Sequence, residues 1–372
     1  MKKSLLALAA LSLVAGTAAA QSSVTMYGIA DVGVVHESGN PAGAVNKLTS
    51  GVSAGSRLGF RGVEDLGSGL AALFVLETGI NYDTGGNAQL ASAGNPAGAA
   101  FGRQSFVGLR SGAGTLTMGR QYNPYFKTVN AIDPFGTGQV GNSGNLMAFT
   151  GSNGRSANSI QYVSPNVAGF SGELLYAFGE VLGDTHAARV INGALSYVNG
   201  PMLLRVAHQR QNNPNNALDV ARNTIIGFSY DFGVAKLQTA YALARGPRSI
   251  ANAAETVGFN AAAGTPYRPV PLVPLALTDA DVQDYLIGTT IPVGAGNILA
   301  SYIRRQDRTA AHQNANQFAI GYEYNLSKRT TLYTAYSRIN NDNGAGYTVG
   351  NSGDLTAGSG DHGTSFGVRH TF

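Results

Sequence analysis

Gln317-Phe318-Ala319-Ile320-Gly321-Tyr322-Glu323-Tyr324-Asn325-Leu326 takes turns between two kinds of side chain. Phe318, Ile320, Tyr322, Tyr324 and Leu326 are greasy. Gln317, Ala319, Gly321, Glu323 and Asn325 are small or polar. A period of two means an extended strand with two unlike faces. The pattern recurs: Phe170, Leu174, Tyr176 and Phe178 alternate with Ser171, Glu173, Leu175, Ala177 and Gly179. Leu237, Tyr241 and Leu243 alternate with Lys236, Gln238, Ala240 and Ala242, and Phe366, Val368, His370 and Phe372 with Ser365, Gly367, Arg369 and Thr371.

Outward from that stretch, the connections sort into two sets. Short ones carry tight-turn residues: 65–69, 111–114, 199–201, 231–233 and 327–329. Long ones are polar and rich in Gly, Asn and Ala: 83–100, 122–154, 212–221, 246–281 and 341–361. Sixteen strands are expected near 23–36, 51–64, 69–82, 101–110, 114–121, 156–164, 170–180, 188–198, 201–210, 222–231, 234–245, 282–291, 296–306, 316–326, 330–340 and 363–372. Many short strands, with short turns on one side and long loops on the other, describe an antiparallel transmembrane β-barrel. In hydrocarbon every backbone N–H and C=O needs a partner within the protein, so the sheet must close. A barrel of about sixteen strands is too wide for side chains to fill and holds water. Tyr residues at strand ends (Tyr27, Tyr82, Tyr162, Tyr197, Tyr230, Tyr302, Tyr324, Tyr336) are expected at the lipid–water boundary.

Composition agrees and excludes other classes. Lys2 and Lys3, the apolar run Leu5 to Ala15, and Ala18-Ala19-Ala20 form a secretory signal over 1–20, leaving 21–372 as one domain. Without Lys2 and Lys3, 23 Lys+Arg face 21 Asp+Glu, too even for a nucleic-acid partner. The chain has no Cys, hence no disulfide framework. The six His are scattered and show neither a triad arrangement nor metal-ligand spacing, so neither an enzyme nor a cofactor is expected.

Several segments carry a family resemblance: Ser23-Val24-Thr25-Met26-Tyr27-Gly28-Ile29-Ala30-Asp31, Gly55-Ser56-Arg57-Leu58-Gly59-Phe60-Arg61-Gly62-Val63-Glu64-Asp65-Leu66-Gly67, Gly114-Thr115-Leu116-Thr117-Met118-Gly119-Arg120-Gln121, Asn158-Ser159-Ile160-Gln161-Tyr162-Val163-Ser164-Pro165, Leu326-Ser327-Lys328-Arg329-Thr330-Thr331-Leu332-Tyr333 and Gly367-Val368-Arg369-His370-Thr371-Phe372. Together they resemble the general-diffusion porins of Gram-negative outer membranes, especially the beta-proteobacterial and neisserial type. The resemblance implies a homotrimer of sixteen-stranded barrels embedded in outer-membrane lipid, each passing ions and small hydrophilic solutes. It implies that one long loop folds inward to narrow the pore. It also implies that Phe372 is a signal for the barrel-insertion machinery. The lack of Trp and the Pro-containing 246–281 loop (Pro269, Pro271, Pro274) depart from the pattern.

The loop 122–154 contains Asp133-Pro134-Phe135-Gly136, which resembles the inward tip, and Asp133 is its only acidic residue. Strand parity selects the facing wall. Leu58 and Phe60 toward lipid put Arg57 and Arg61 inward; Phe74 and Leu76 outward put Glu77 inward. Ile160 and Tyr162 outward put Arg155 inward, and Arg103 faces inward if Phe106 faces lipid. Arg120 stays ambiguous. A charge on the lipid face at mid-bilayer costs about 2–4 kcal/mol, which favours the lumen for strand-centre arginines. Positive charge facing Asp133 and Glu77 sets a transverse field with weak anion preference expected. The alternative is a substrate-specific channel.

Overall fold

A computed structural model describes residues 23–40, 43–88, 99–147, 154–212, 220–247, 259–260, 265–266, 279–350 and 360–372. The expected signal segment and most of the 246–281 loop, with its three prolines, lie outside the described residues.

The chain runs β1 (Ser23–Ser38), β2 (Val45–Ser50), β3 (Arg57–Gly67), β4 (Leu70–Gly79), β5 (Gln104–Ser111) and β6 (Gly114–Tyr122). After helix α1 (Pro124–Ile132) come β7 (Arg155–Val163), β8 (Phe170–Ala177), β9 (Val190–Asn199), β10 (Met202–Asn212), β11 (Val220–Asp231) and β12 (Lys236–Pro247). β13 (Phe259–Asn260) and β14 (Thr265–Pro266) pair only with each other. β15 (Asp279–Val293), β16 (Gly296–Asp307), β17 (Ala315–Asn325), β18 (Thr330–Asn341) and β19 (His362–Thr371) complete the wall.

Every long strand pairs antiparallel with its neighbours in sequence, and β1 pairs with β19, so sixteen long strands close into a barrel. The seam runs from Ile29–Thr371 to Ser38–His362. Gly28 and Phe372 exchange backbone hydrogen bonds at its lower end. A side chain at Gly28 would strike the Phe372 ring, so the position needs glycine.

The alternation is visible as exposure. Leu195 is 71% exposed and Phe318 55%, both on the outer face, whereas Asn192, Gln209, Asn223 and Gln317 are buried on the inner face. This inversion of the soluble pattern is what lipid outside and a polar lumen inside demand. Tyr82, Tyr162, Tyr302, Tyr324 and Tyr336 sit on the exposed set, as expected of boundary residues. No helix among the described residues is long and apolar enough to cross a membrane, so the strands span it.

One strand departs from expectation. The sequence suggests a continuous strand over 51–64. Instead β2 folds back on the upper half of β1, β3 pairs with the lower half, and 51–56 leave the sheet between them. The physical cause lies in Ser50-Gly51-Val52-Ser53-Ala54-Gly55-Ser56, a run of small residues with Gly51 at φ 72°, which supplies neither side-chain bulk nor extended backbone for a ladder.

Candidate functional site

The inner loop follows from the same economy of side chains. Tyr122 ends β6 and Arg155 starts β7, so the loop spans 122–154 as expected, with 148–153 outside the described residues. Pro124 sits at the start of α1, where its missing N–H costs nothing. Tyr125, Val129 and Ile132 recur at helical spacing and are buried. Their partners are Ala207, Ile225, Ala242, Leu286, Ile303 and Ile339 on the inner face of the barrel. The loop therefore packs against the wall from inside.

Glycines mark its seat. A Cβ at Gly227 would lie 2.8 Å from Ile132, one at Gly288 would strike Pro134, and one at Gly321 would lie 2.9 Å from the Phe135 ring. Alternation alone assigns these small inward residues to a wet face; here several are small because a loop lies on them. Phe135 and Val140 continue the contact onto Leu299, Ala319, Tyr333, Ala335 and Val52.

Asp133 does not face the arginines. It is 4% exposed, and its carboxylate accepts hydrogen bonds from the backbone N–H groups of Phe135 (2.9 Å), Thr137 (3.1 Å) and Ser143 (2.8 Å). Burial pushes this carboxyl above its ordinary range, with the three donors pulling the other way. Asp133 thus ties the tip together. Pro134 and Phe135 are buried wall contacts, and Gly136 is exposed at φ 56°.

The loop tip is held from a second side by the segment 51–56. The Gln139 N–H donates to the Val52 carbonyl, and Gly138 leaves no room for a Cβ against Ser53. Asp31 fixes that segment by accepting from the N–H groups of Ser53 (3.1 Å) and Ala54 (2.8 Å), while the Tyr333 hydroxyl donates to its other oxygen at 2.6 Å.

The wall from β3 to β7 carries the arginines. Arg57 starts β3, Glu77 lies on β4, Arg103 precedes β5, Tyr122 ends β6 and Arg155 starts β7. Arg103 Nε donates to Glu77 at 2.8 Å, and Arg57 Nη1 stands 4.0 Å from the same oxygen. Arg103 and Arg155 both donate to the Tyr122 hydroxyl oxygen, at 2.5 Å and 2.6 Å, and the Arg155 guanidinium lies 4.3 Å above the Tyr122 ring. One phenol oxygen has two lone pairs, so it holds two cations side by side. Arg61 stands farther down β3 over the Tyr27 ring at 5.4 Å.

Thus Arg57, Glu77, Arg103 and Arg155 come together, with Arg61 joined through Tyr27. Two participants were missed. Tyr122 gave no signal beyond its place at a strand end. Tyr27 was expected at the lipid boundary, but its hydroxyl donates to Glu77 at 3.0 Å, which places it in the lumen. Its parity with Thr25 and Asp31, opposite to exposed Val24 and Met26, was the available clue.

The inner row departs from simple strand parity at two places. Phe106 does not face lipid. Val107 is 59% exposed beside outward Phe74, so Phe106 takes the inner row with Val75. Arg103 reaches Glu77 because it precedes the strand, in a bend, and not through strand alternation. The count from Ile160 back to Arg155 crosses Asn158 at φ 51° and the register shift between Gly119 and Gln121, so alternation does not carry through. Arg120 falls opposite Ser105, on the outward row with Leu76, and donates to the Gly102 carbonyl at 2.7 Å.

Elsewhere in the lumen several cations have a carboxylate within reach. Arg305, 0% exposed, holds Asp284 through two hydrogen bonds of 2.7 and 2.8 Å. Glu173 receives both Lys127 (2.8 Å) and Arg205 (2.7 Å). Arg369 lies 3.4 Å from Glu323. Only the β3–β7 wall gathers three guanidiniums around one carboxylate among the described residues.

Known proteins share this architecture. The family model described as Gram-negative porin matches residues 7–344. The chain is 34% identical over 390 residues to an outer membrane porin protein of Bordetella pertussis, covering 92% of this chain and 95% of that protein. It is also 34% identical over 390 residues to outer membrane porin protein 32 of Delftia acidovorans, covering 100% of both. Among solved structures, an anion-selective porin from Comamonas acidovorans superposes with a TM-score of 0.73 at 28% identity, covering 94% of this chain and 100% of that one. A closed barrel with lipid-facing apolar residues, a loop packed inside it and relatives of this kind have one reading: the chain belongs to the Gram-negative porin family and is an outer-membrane diffusion channel.

Proposed function

We propose that this porin passes ions and small hydrophilic solutes with a weak preference for anions, and that Arg57, Arg103 and Arg155, with Arg61 nearby, set the sign. The observation that carries this reading is the unequal charge of the β3–β7 wall, where Glu77 alone opposes three guanidiniums. Fixed charge beside a narrow aqueous path raises the local concentration of the opposite ion. Arginine suits the role because it cannot lose its proton. The loop residues Asp133, Pro134, Phe135 and Gly136 narrow the path without supplying its field. The solved relative at 28% identity is named as anion-selective, which supports the same sign. Transport by such a channel needs no covalent chemistry.

Residues 1–20 are removed on export, the barrel associates as a homotrimer, and Phe372 is read by the barrel-insertion machinery. The decisive experiment is the single-channel reversal potential of the purified protein in a salt gradient. The expected result is an anion-side potential that moves toward cations when Arg57 and Arg155 are both replaced by Gln. A clear cation preference of the unaltered channel overturns the sign, and no movement in the variant removes these residues from the constriction.

A further inference from the structure

Two more arginines stand on the inner wall between the arginine cluster and the tight-turn end of the barrel. Arg61 lies on β3 four residues from Arg57 and on the same face, about 13 Å away at roughly 3.3 Å per residue. It sits across from Val75 of β4. Four residues from Val75, toward the tight turns, is Ala71, which lies across from Arg110 of β5. Arg110 therefore stands about another 13 Å along the wall. It is the residue before the turn that joins Ser111 to Gly114.

Register places Arg110 on the inner face. Its cross-strand partners are Ala71 and Thr115, and Ala71 is buried. Thr117, two residues on from Thr115, is buried on that face and donates its hydroxyl to Gln121. The residue before Arg110 is Leu109, which pairs with Leu116, and both leucines are exposed on the outer face. Arg110 is itself exposed, so it meets water at the turn-side mouth.

Neither arginine is neutralised within the protein. Among the described residues, neither Arg61 nor Arg110 has a carboxylate within ion-pair distance. Arg205 and Arg369, by contrast, reach Glu173 and Glu323. The inner positions around Arg61 and Arg110 are Val63, Ala71, Leu73, Val75, Phe106 and Gly108. The acid on this strip is Asp65, whose Oδ1 accepts the Gly67 N–H at 2.8 Å in its own turn. An anion moving along the wall thus meets guanidiniums separated by apolar surface. Apolar walls sharpen the field of the charges set in them.

We propose that Arg61 and Arg110 extend the arginine wall into a file that reaches the turn-side mouth, and that Arg110 gathers anions there. This rests on the anion preference proposed above. It concerns a different quantity: the cluster at Arg57, Arg103 and Arg155 sets which ion passes, and Arg110 sets how many anions arrive. The spacing dictates the conditions. The reach of a charge is about 30 Å in 0.01 M salt and about 3 Å in 1 M salt. Steps of about 13 Å along a strand therefore overlap in dilute salt and are isolated in concentrated salt.

The test is single-channel recording of the full-length protein in planar bilayers with potassium chloride. Arg110→Glu is expected to lower the conductance about twofold in 0.01 M salt and to leave it unchanged in 1 M salt. The reversal potential is expected to keep its anion sign, and Arg110→Gln to fall between the two. With one bath dilute and the other concentrated, exchanging the baths is expected to give unequal losses, because only one mouth carries Arg110. Unchanged conductance of both variants in dilute salt, a loss that persists in 1 M salt, or equal losses on exchange overturns the proposal while leaving the anion preference standing. A cation-side reversal potential of the unaltered channel overturns the preference itself, and this proposal with it. If Arg110→Glu does not assemble, Arg110→Gln decides.

Discussion

The two halves of the lumen wall treat charge in opposite ways. From β8 to β18 the inner loop lies on the wall, and the fully buried Arg305 has Asp284 to itself, while Arg205 shares Glu173 with Lys127 of the loop helix. From β3 to β7, Arg57, Arg103 and Arg155 share Glu77 and the neutral Tyr122 hydroxyl. The difference follows from desolvation. A cation buried beneath packed side chains needs an anion within reach, because leaving it unpaired costs several kcal/mol. On the β3–β7 wall Arg57 stays partly in water, and the buried Arg103 and Arg155 have the Tyr122 hydroxyl as a shared second acceptor. Excess positive charge therefore persists where a neutral acceptor shares the load with the carboxylate.

Four measurements bear on this contrast. The largest effect is expected on the covered side. Asp284→Ala leaves the Arg305 guanidinium buried and unpaired, and unfolding in denaturant should show a loss of about 3–5 kcal/mol. A stability within experimental scatter of the unaltered protein would mean that water reaches Arg305 and that the covered half is not dry. Next comes the open side. Replacing both Arg103 and Arg155 by Gln should lower the anion-to-cation permeability ratio several-fold, read from the reversal potential. Tyr122→Phe removes the oxygen that both guanidiniums share. It should change single-channel conductance and broaden its distribution while moving the permeability ratio less than the double substitution does. Last, Lys127→Gln should leave the sign of selectivity intact, because Glu173 keeps Arg205 as a partner. A shift as large as that of the arginine pair would erase the distinction between the two halves.

How much of this was legible in the sequence depended on whether a ladder ran unbroken. Where alternation is continuous, as in β17 and β18, counting by twos places every side chain correctly. The same counting put Arg57 and Glu77 on the inner face, because β3 and β4 pair without interruption from Arg57–Gly79 to Asp65–Ala71. It failed at Phe106, where no rule says which of two adjacent apolar residues, Phe106 or Val107, takes the lipid side. It gave the right destination for Arg155 by a route that the irregularity at Asn158 and Gly119 does not permit. Asp133 was read as a charge aimed into the lumen because sequence shows a carboxylate but not the N–H groups that surround it. The inward fold of 51–56 was hidden for a related reason: a run of Ser, Gly and Ala fits a loop, a turn or a small-faced strand equally well.

The seam between β1 and β19 fixes an order of events. Its two strands stand at opposite ends of the barrel's strand order, and they meet through ten residue pairs. No cylinder exists until the last hairpin has reached the first strand, so every earlier stage is an open sheet with two raw edges. Such an edge is intolerable in hydrocarbon and sticky in water. The ring at Phe372, seated where Gly28 has no side chain, is the latch that ends this exposed stage. Filling the Gly28 position should therefore show first as slow or aborted assembly, and only second as altered transport.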